Sequence, residues 1–447
     1  MSGGVGEDDT IAALATAGGR GAIAVVRVSG PDAFGIVRQR VTPWPAEPRR
    51  ATLCIVRDRG GSVLDEALVT TFVAPSSYTG EDVVEIATHG GQVVPTLVLA
   101  ELVASGARMA LPGEFTRRAV LNGKLDLVQA EAIGDLIDST SRAMQRVAVA
   151  QLDGGLSRRI DELRERVIGL EALIAYDIDF PEEDDGPIPR ARVDAATQSV
   201  IASLTALLET APAGELVRSG ALVVIAGAPN AGKSSLFNAM LGRSRAIVTE
   251  VPGTTRDAIE AVLDAGEWPI RLVDTAGLRD TADVVERLGI EVATRYLTSA
   301  DLVLACGESA EGVATTSEIV SRLTDAPVVG VRTKADLASS REEGMVSAST
   351  GEGVRELLDA VTRIISERHG GVVLDAPILT RERHRFCVEH ARTEMLEFAS
   401  AIKDEGLPAS VAAVHLRSAA DALADVTGTI DVEDVLDRLF RTFCVGK

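Results

Sequence analysis

Apolar residues follow two different periods along this chain, and the change from one to the other divides it. Between residues 10 and 120, short apolar runs alternate with turn residues. "AIAVVRVSG", "ALVTTFVA" and "DVVEIAT" predict strands, and "PTLVLAELVASGA" predicts a helix ended by Gly106. That mixture reads as a small α+β domain. From about 125 to 180 the period lengthens. Leu156, Ile160, Leu163, Val167, Leu170 and Ile174 recur at spacings of three and four, which places them on one helical stripe. An acidic, proline-bearing break, "DFPEEDDGPIPR", precedes a further helical stretch, "ATQSVIASLTALLETA".

Gly214 to about Ala376 alternates strand and helix. "ALVVIAG", "PIRLVDT", "DLVLACG" and "APVVGVRT" are near-continuous Val/Leu/Ile runs, each followed by a helical or turn segment. Such runs predict a mostly parallel sheet covered on both faces. After Pro377 the pattern is helical again, and "VEDVLDRLFRTF" lines up Val432, Val435, Leu436, Leu439, Phe440 and Phe443. Helical sequence on both sides of an α/β unit predicts a helical domain with the α/β domain inserted. The expected fold class is thus multidomain α/β and α, with boundaries at 1–121, 122–213, 214–376 and 377–447. At 447 residues the chain exceeds one domain of roughly 100–200 residues.

Composition narrows the class without identifying it. Apolar residues at 46% and charged residues at 25% suit a globular protein, and 3% aromatic content leaves the cores to Val, Leu, Ile and Ala. Cys54, Cys306, Cys387 and Cys444 form no CxxC pair, so neither a zinc site nor a disulfide framework is expected and a reducing cytoplasm fits. The acidic "MSGGVGEDDT" start lacks an apolar signal region, and no uninterrupted apolar run reaches the roughly 18–20 residues of a membrane span. A net charge of -21 argues against broad nucleic-acid binding, which needs Lys and Arg to displace counterions.

The chemistry is concentrated in the α/β segment. "GAPNAGKS", Gly227 to Ser234, fits G-x-x-x-x-G-K-[ST], with a strand before it and a helix, "SLFNAMLG", after it. Its backbone N–H groups suit phosphate, Lys233 the β- and γ-phosphates, and Ser234 a Mg²⁺ ion. Asn230, Ala231, Gly232 and Ser235 complete the candidate loop. In "TEVPGTTRD", Thr249, Glu250, Val251, Pro252, Gly253, Thr254 and Thr255 form a segment able to close on the nucleotide, with Thr255 a second Mg²⁺ candidate. "LVDTAG" supplies Asp274 toward Mg²⁺ and Thr275, Ala276 and Gly277 toward the γ-phosphate. "TKAD" offers Thr333, Lys334 and Asp336, the last accepting from guanine N1–H and N2–H₂, and "SAS" offers Ser347, Ala348 and Ser349 near O6. In order, these read as a GTP-binding domain.

Two positions depart from the usual pattern. Leu278 stands where many switch GTPases carry a water-orienting glutamine. Thr333 replaces the common asparagine and lacks the amide that ties the base loop to the phosphate loop, so weaker nucleotide binding is expected.

Beyond the nucleotide motifs, the chain resembles the MnmE/TrmE tRNA-modification GTPases from about residue 9 to 447. "DTIAALATAGGRGAIAVVRVSG", "SSYTGEDVVEIATHGG", "PGEFTRRAVLNGKLDLVQAEAIGDLID", "AIVTEVPGTTRD", "DTAGLRDTADVVERLGIE" and the terminal "FCVGK" carry the likeness. The resemblance implies an N-terminal folate-binding and dimerisation domain, a helical domain, and an inserted Ras-like GTPase domain. It implies modification of C5 of the wobble uridine, position 34, in certain tRNAs. An FAD-containing partner of MnmG/GidA type, joined in a heterotetramer, and a reduced folate (5,10-methylene- or 5-formyl-tetrahydrofolate) take part. It also implies K⁺ held by Asn230, Thr249, Val251 and Thr254 in place of an arginine finger, and Glu286 as the group orienting water.

By the same carry-over Arg27, Glu85, Lys124 and Lys447 form the folate site, and Cys444 is a candidate for the modification chemistry. Read without the family, Arg27 and Glu85 are a cross-strand charge pair, Glu286 a solvated helix charge and His89 a structural histidine before a turn. The competing class is a GTP-regulated assembly factor, for which the folate residues and Cys444 have no use.

Overall fold

The computed structural model describes residues 9–179, 189–243, 259–264, 268–274, 293–337, 344–369, 376–403, 408–428 and 443–446. The chain forms two compact units, one of Met1–Gly134 with Thr427–Lys447, the other of Asp135–Val426.

The first unit holds a seven-stranded sheet in the order β3-β4-β5-β6-β2-β1-β7. The strands are β1 (Ile11–Leu14), β2 (Ile23–Ser29), β3 (Val41–Thr42), β4 (Thr52–Arg57), β5 (Val63–Phe72), β6 (Val83–His89) and β7 (Arg108–Met109). The predicted strands are all present. Alternation along β2, β4, β5 and β6 sends Val26, Val28, Cys54, Val56, Ala67, Val69, Val84 and Ile86 into one core, closed by the helices Ala33–Arg38 and Val94–Ala104. The Val94–Ala104 helix ends as expected, with Ser105 at its C-cap and Gly106 at φ 118°.

The other face is different. Registers Leu53↔Leu68, Leu68↔Ala87 and Val25↔Ala87 set an apolar row across β4, β5, β6 and β2, with Leu53 61% and Leu68 44% exposed. Beside it, Arg27↔Glu85 and Thr70↔Glu85 form a polar row.

In the second unit, helix Gly155–Asp179 buries Leu156, Ile160, Leu163, Val167, Leu170 and Ile174, the stripe read from spacing. The stretch Arg190–Ser219 has the length and mean hydropathy, 1.3, of a membrane-spanning helix. Within it, Val193, Val200, Leu204 and Leu207 are buried, as a core helix requires. The five-stranded sheet runs β12-β11-β8-β10-β9. Its members are β8 (Ala221–Gly227), β9 (Ile259–Asp264), β10 (Pro269–Asp274), β11 (Leu302–Gly307) and β12 (Val328–Arg332). All pairs are parallel except β9 with β10, an antiparallel edge that the run-by-run reading did not include.

The way into this α/β layer touches the way out. The Leu379 N–H donates to Thr210 Oγ1 at 3.1 Å, and a Cβ added at Gly214 would lie 2.0 Å from the Leu379 carbonyl oxygen. Gly214 sits inside the helix Ala211–Ser219, where only the absence of a side chain permits that crossing.

A nucleotide pocket and an arginine–carboxylate site

Parallel pairing aligns β8 and β10 so that Asp274, the last residue of β10, stands beside Ile225. β8 ends at Gly227, where a Cβ would come 2.6 Å from the Cys306 carbonyl oxygen on β11. A bare backbone is therefore needed for the chain to leave the sheet here. The loop turns through left-handed Asn230 (φ 63°) and Gly232 (φ 78°) into the helix Lys233–Arg243. The start of a helix directed at such a loop is the arrangement that binds phosphate. The Lys233 ammonium donates to the Gly227 and Ala228 carbonyls at 3.0 and 2.9 Å. Next to it, Ser234 Oγ donates to Asp274 Oδ2 at 2.6 Å, with Asp274 fully buried. A hydroxyl and a carboxylate side by side at a phosphate loop are hard oxygen donors of the kind Mg²⁺ takes.

The base loop follows β12. Lys334 is left-handed (φ 60°), and Ala335–Leu337 forms a short 3₁₀ turn. Ser347 Oγ donates to Asp336 Oδ1 at 2.7 Å and lies 2.9 Å from Ser349 Oγ. That hydrogen bond, first among several causes, holds the Asp336 carboxyl below the ordinary aspartate value. A cavity of about 560 Å³ is lined by Gly232 and Ser235 on one side and Thr333, Lys334, Asp336, Ala348 and Ser349 on the other. Phosphate-loop and base-loop residues thus share one pocket. Asn238, Leu337 and Val346 also line it; the motif reading did not single them out, although Asn238 follows the phosphate loop by one helical turn.

Thr333 changes one expectation. Its hydroxyl donates to the Ala231 carbonyl at 2.8 Å, so the base loop is tied to the phosphate loop by a hydroxyl instead of an amide. The remaining nucleotide candidates, Thr249 to Thr255, Thr275 to Gly277, with Leu278 and Glu286, lie outside the described residues, as does Lys447.

In the first unit, Arg27 Nε and Nη2 both donate to Glu85 Oε1, at 3.0 and 2.8 Å. The guanidinium carbon lies 5.3 Å from the Tyr78 ring centre and 5.6 Å from that of Phe115, two rings the sequence reading passed over. The C-terminal tail reaches the same place: Pro112 bridges Val445, and Arg27 Nη1 approaches the Gly446 carbonyl at 3.5 Å. Cys444 is exposed there. Lys124 is not in the ion pair; its ammonium donates to the Pro75 carbonyl at 3.0 Å, at the root of the loop that carries Tyr78. His89 pairs with Asp65 at 2.7 Å, the structural reading.

A phosphate loop at the head of a mostly parallel sheet, sharing a cavity with a carboxylate base loop, defines a P-loop guanine-nucleotide-binding domain. The flanking sequence is more particular. Residues 10–124 match the model of the GTP-binding protein TrmE N-terminus, and residues 127–444 that of the MnmE helical domain. The chain belongs to the MnmE/TrmE family. It is 41% identical over 450 residues to the tRNA modification GTPase MnmE of Akkermansia muciniphila, covering 98% of this chain and 99% of that one. To the protein of the same name from Methylorubrum populi it is 45% identical over 449 residues, 98% of each chain. The G domain of the T. maritima FeoB iron transporter is 27% identical over 32% of this chain and 96% of that one, with a TM-score of 0.25 that carries no weight for the fold.

Proposed function

We propose that this protein is a K⁺-activated GTPase of tRNA modification in the cytoplasm. It acts as a homodimer with an FAD-containing partner and a reduced folate on C5 of the wobble uridine. The observation that carries the reading is the cavity joining Gly232 and Ser235 to Asp336 and Ala348, because it brings the end of the phosphate loop and the base-loop carboxylate to one space. Full-length likeness to relatives named tRNA modification GTPase supports the tRNA assignment.

Each residue has a separable task. Lys233 exchanges two carbonyl partners for phosphate oxygens; Ser234, with Asp274 beside it, and Thr255 would hold Mg²⁺, which would offset the triphosphate charge. Asp336, kept ionised by Ser347, accepts from guanine N1–H and N2–H₂. Asn230 and the 249–254 segment supply oxygens for K⁺, which offers the charge Leu278 cannot. Glu286 is the proposed water-orienting group.

Arg27 and Glu85 are the proposed folate site, with Lys124 and Lys447 toward the glutamate tail. An acceptor and a donor beside two aromatic rings suit a flat pterin. The apolar row of exposed Leu53 and Leu68 with half-buried Ala87 and Val25 supports dimerisation through the first unit. The contact of Leu379 with Thr210 and Gly214 supports the inserted arrangement, with segments 1–121, 122–213, 214–376 and 377–447.

The test is the GTP hydrolysis rate in KCl and NaCl at equal ionic strength. A rise of about 10-fold or more in K⁺, lost in Asn230→Ala, is expected. Equal slow rates would overturn the K⁺ mechanism.

A further inference from the structure

Thr333 is 5% exposed and sits where β12 gives way to the base loop. A threonine hydroxyl has one proton to donate. Here that proton goes to the Ala231 carbonyl at 2.8 Å, with the Gly307 carbonyl in reach at 3.3 Å. Both neighbours are acceptors, so the proton cannot be turned elsewhere without leaving a buried carbonyl short of its partner. A side-chain amide has two N–H donors, and can hold the phosphate loop with one while offering the other to a ligand. The difference matters for guanine, whose N7 is an acceptor and needs a donor.

Of the donors near the base loop, the Lys334 ammonium pairs with Glu308, and the Ser347 hydroxyl donates to Asp336 while contacting that of Ser349. Asn238 lines the cavity from the helix that follows the phosphate loop. We infer that Thr333 fastens the base loop to the phosphate loop without reading the base, so guanine N7 is left unread and selectivity rests on the N1, N2 and O6 edge. The inference rests on the guanine-nucleotide reading of this pocket. Thr333 is a positioning residue, acting through Ala231.

The experiment is calorimetric titration of the full chain with GDP and with 7-deaza-GDP, which carries C–H at the position of N7. Wild type and Thr333→Ser are expected to bind the two within about twofold of each other. Thr333→Asn should acquire a preference for GDP of about fivefold or more, because its second N–H becomes available. Thr333→Val should weaken both nucleotides by one common factor, with binding of inorganic tripolyphosphate, which needs the phosphate loop alone, unchanged. A fivefold preference for GDP in wild type would overturn the inference and pass the reading of N7 to another donor, Asn238 being the first to test. Absence of GDP binding by wild type would overturn the guanine reading itself, and this inference with it.

Discussion

Asp336 and Thr333 stand three positions apart, and the proposed function divides the work of a base loop between them. In it Asp336 carries selectivity through an ionised carboxylate. Since its folded value lies below the ordinary 3.8, the charged form persists through neutral and mildly acid pH and is lost only as pH falls through that lowered value. GDP affinity is therefore expected to stay flat from pH 8 to about pH 5 by titration, while Ser347→Ala moves the acid limb upward. Asp336→Asn should lose about 100-fold or more in GDP affinity and accept xanthosine diphosphate, whose 2-oxo group accepts from the new amide N–H where the guanine amine donates to the carboxylate. The identities of Lys233, Ser234 and Asp336 were legible because each motif's chemistry is local in sequence. The partner of Thr333 was not, because Ala231 is 102 positions away.

Elements were legible where the period was strong and invisible where pairing decides. The stripe of Gly155–Asp179 and the runs of β8, β10, β11 and β12 were read correctly, since burial of a face imposes a period. β9 was missed: it is an antiparallel edge whose side chains alternate, and its existence depends on β10. The helix Glu114–Leu121 shows what spacing cannot. Glu114 is 5% exposed, and it accepts from Arg108, Arg118 and the Leu111 N–H. Burial raises its pKa, but the Arg108 hydrogen bond, the Leu111 N–H and the two guanidinium charges together bring it below the ordinary 4.5. Its contribution is present above that value and disappears as pH falls through the lowered one. Glu114→Gln removes a carboxylate shared by two arginines, which keep Asp9 and Glu81 as partners, and should destabilise the first unit by about 2 kcal/mol, seen as a lower melting transition in calorimetry. A melting transition unchanged from wild type would contradict this.

At the scale of the molecule the two proposed chemistries fall in separate units, and substitutions should separate them. Leu68 lies in the exposed apolar row of the first unit, whereas the nucleotide pocket belongs wholly to the second. Leu68→Glu should convert the proposed dimer to a monomer by light scattering while leaving GDP affinity within about twofold, because the charge falls in the proposed contact and the pocket is lined by residues of the other unit. A dimer that survives Leu68→Glu would remove this face from the assembly. A net charge of -21 pointed away from nucleic acid, yet the family's named relatives act in tRNA modification. Net charge sums a whole chain, and recognition uses one patch or a partner's surface.

What the sequence determined by itself is local: the period of each strong helix and strand, the phosphate loop, the aspartate of the base loop and, through stretches spread over both units, the family. Only the tertiary structure decided which residues meet. Close packing set Asp274 beside Ser234, Thr333 on Ala231, Ser347 on Asp336 and the tail on the first unit, whereas the Arg27–Glu85 pair that register made was already legible as a cross-strand pair. The reason is that a period records how one segment buries its own face, whereas a contact between distant positions depends on loop closure and register, which no local pattern encodes.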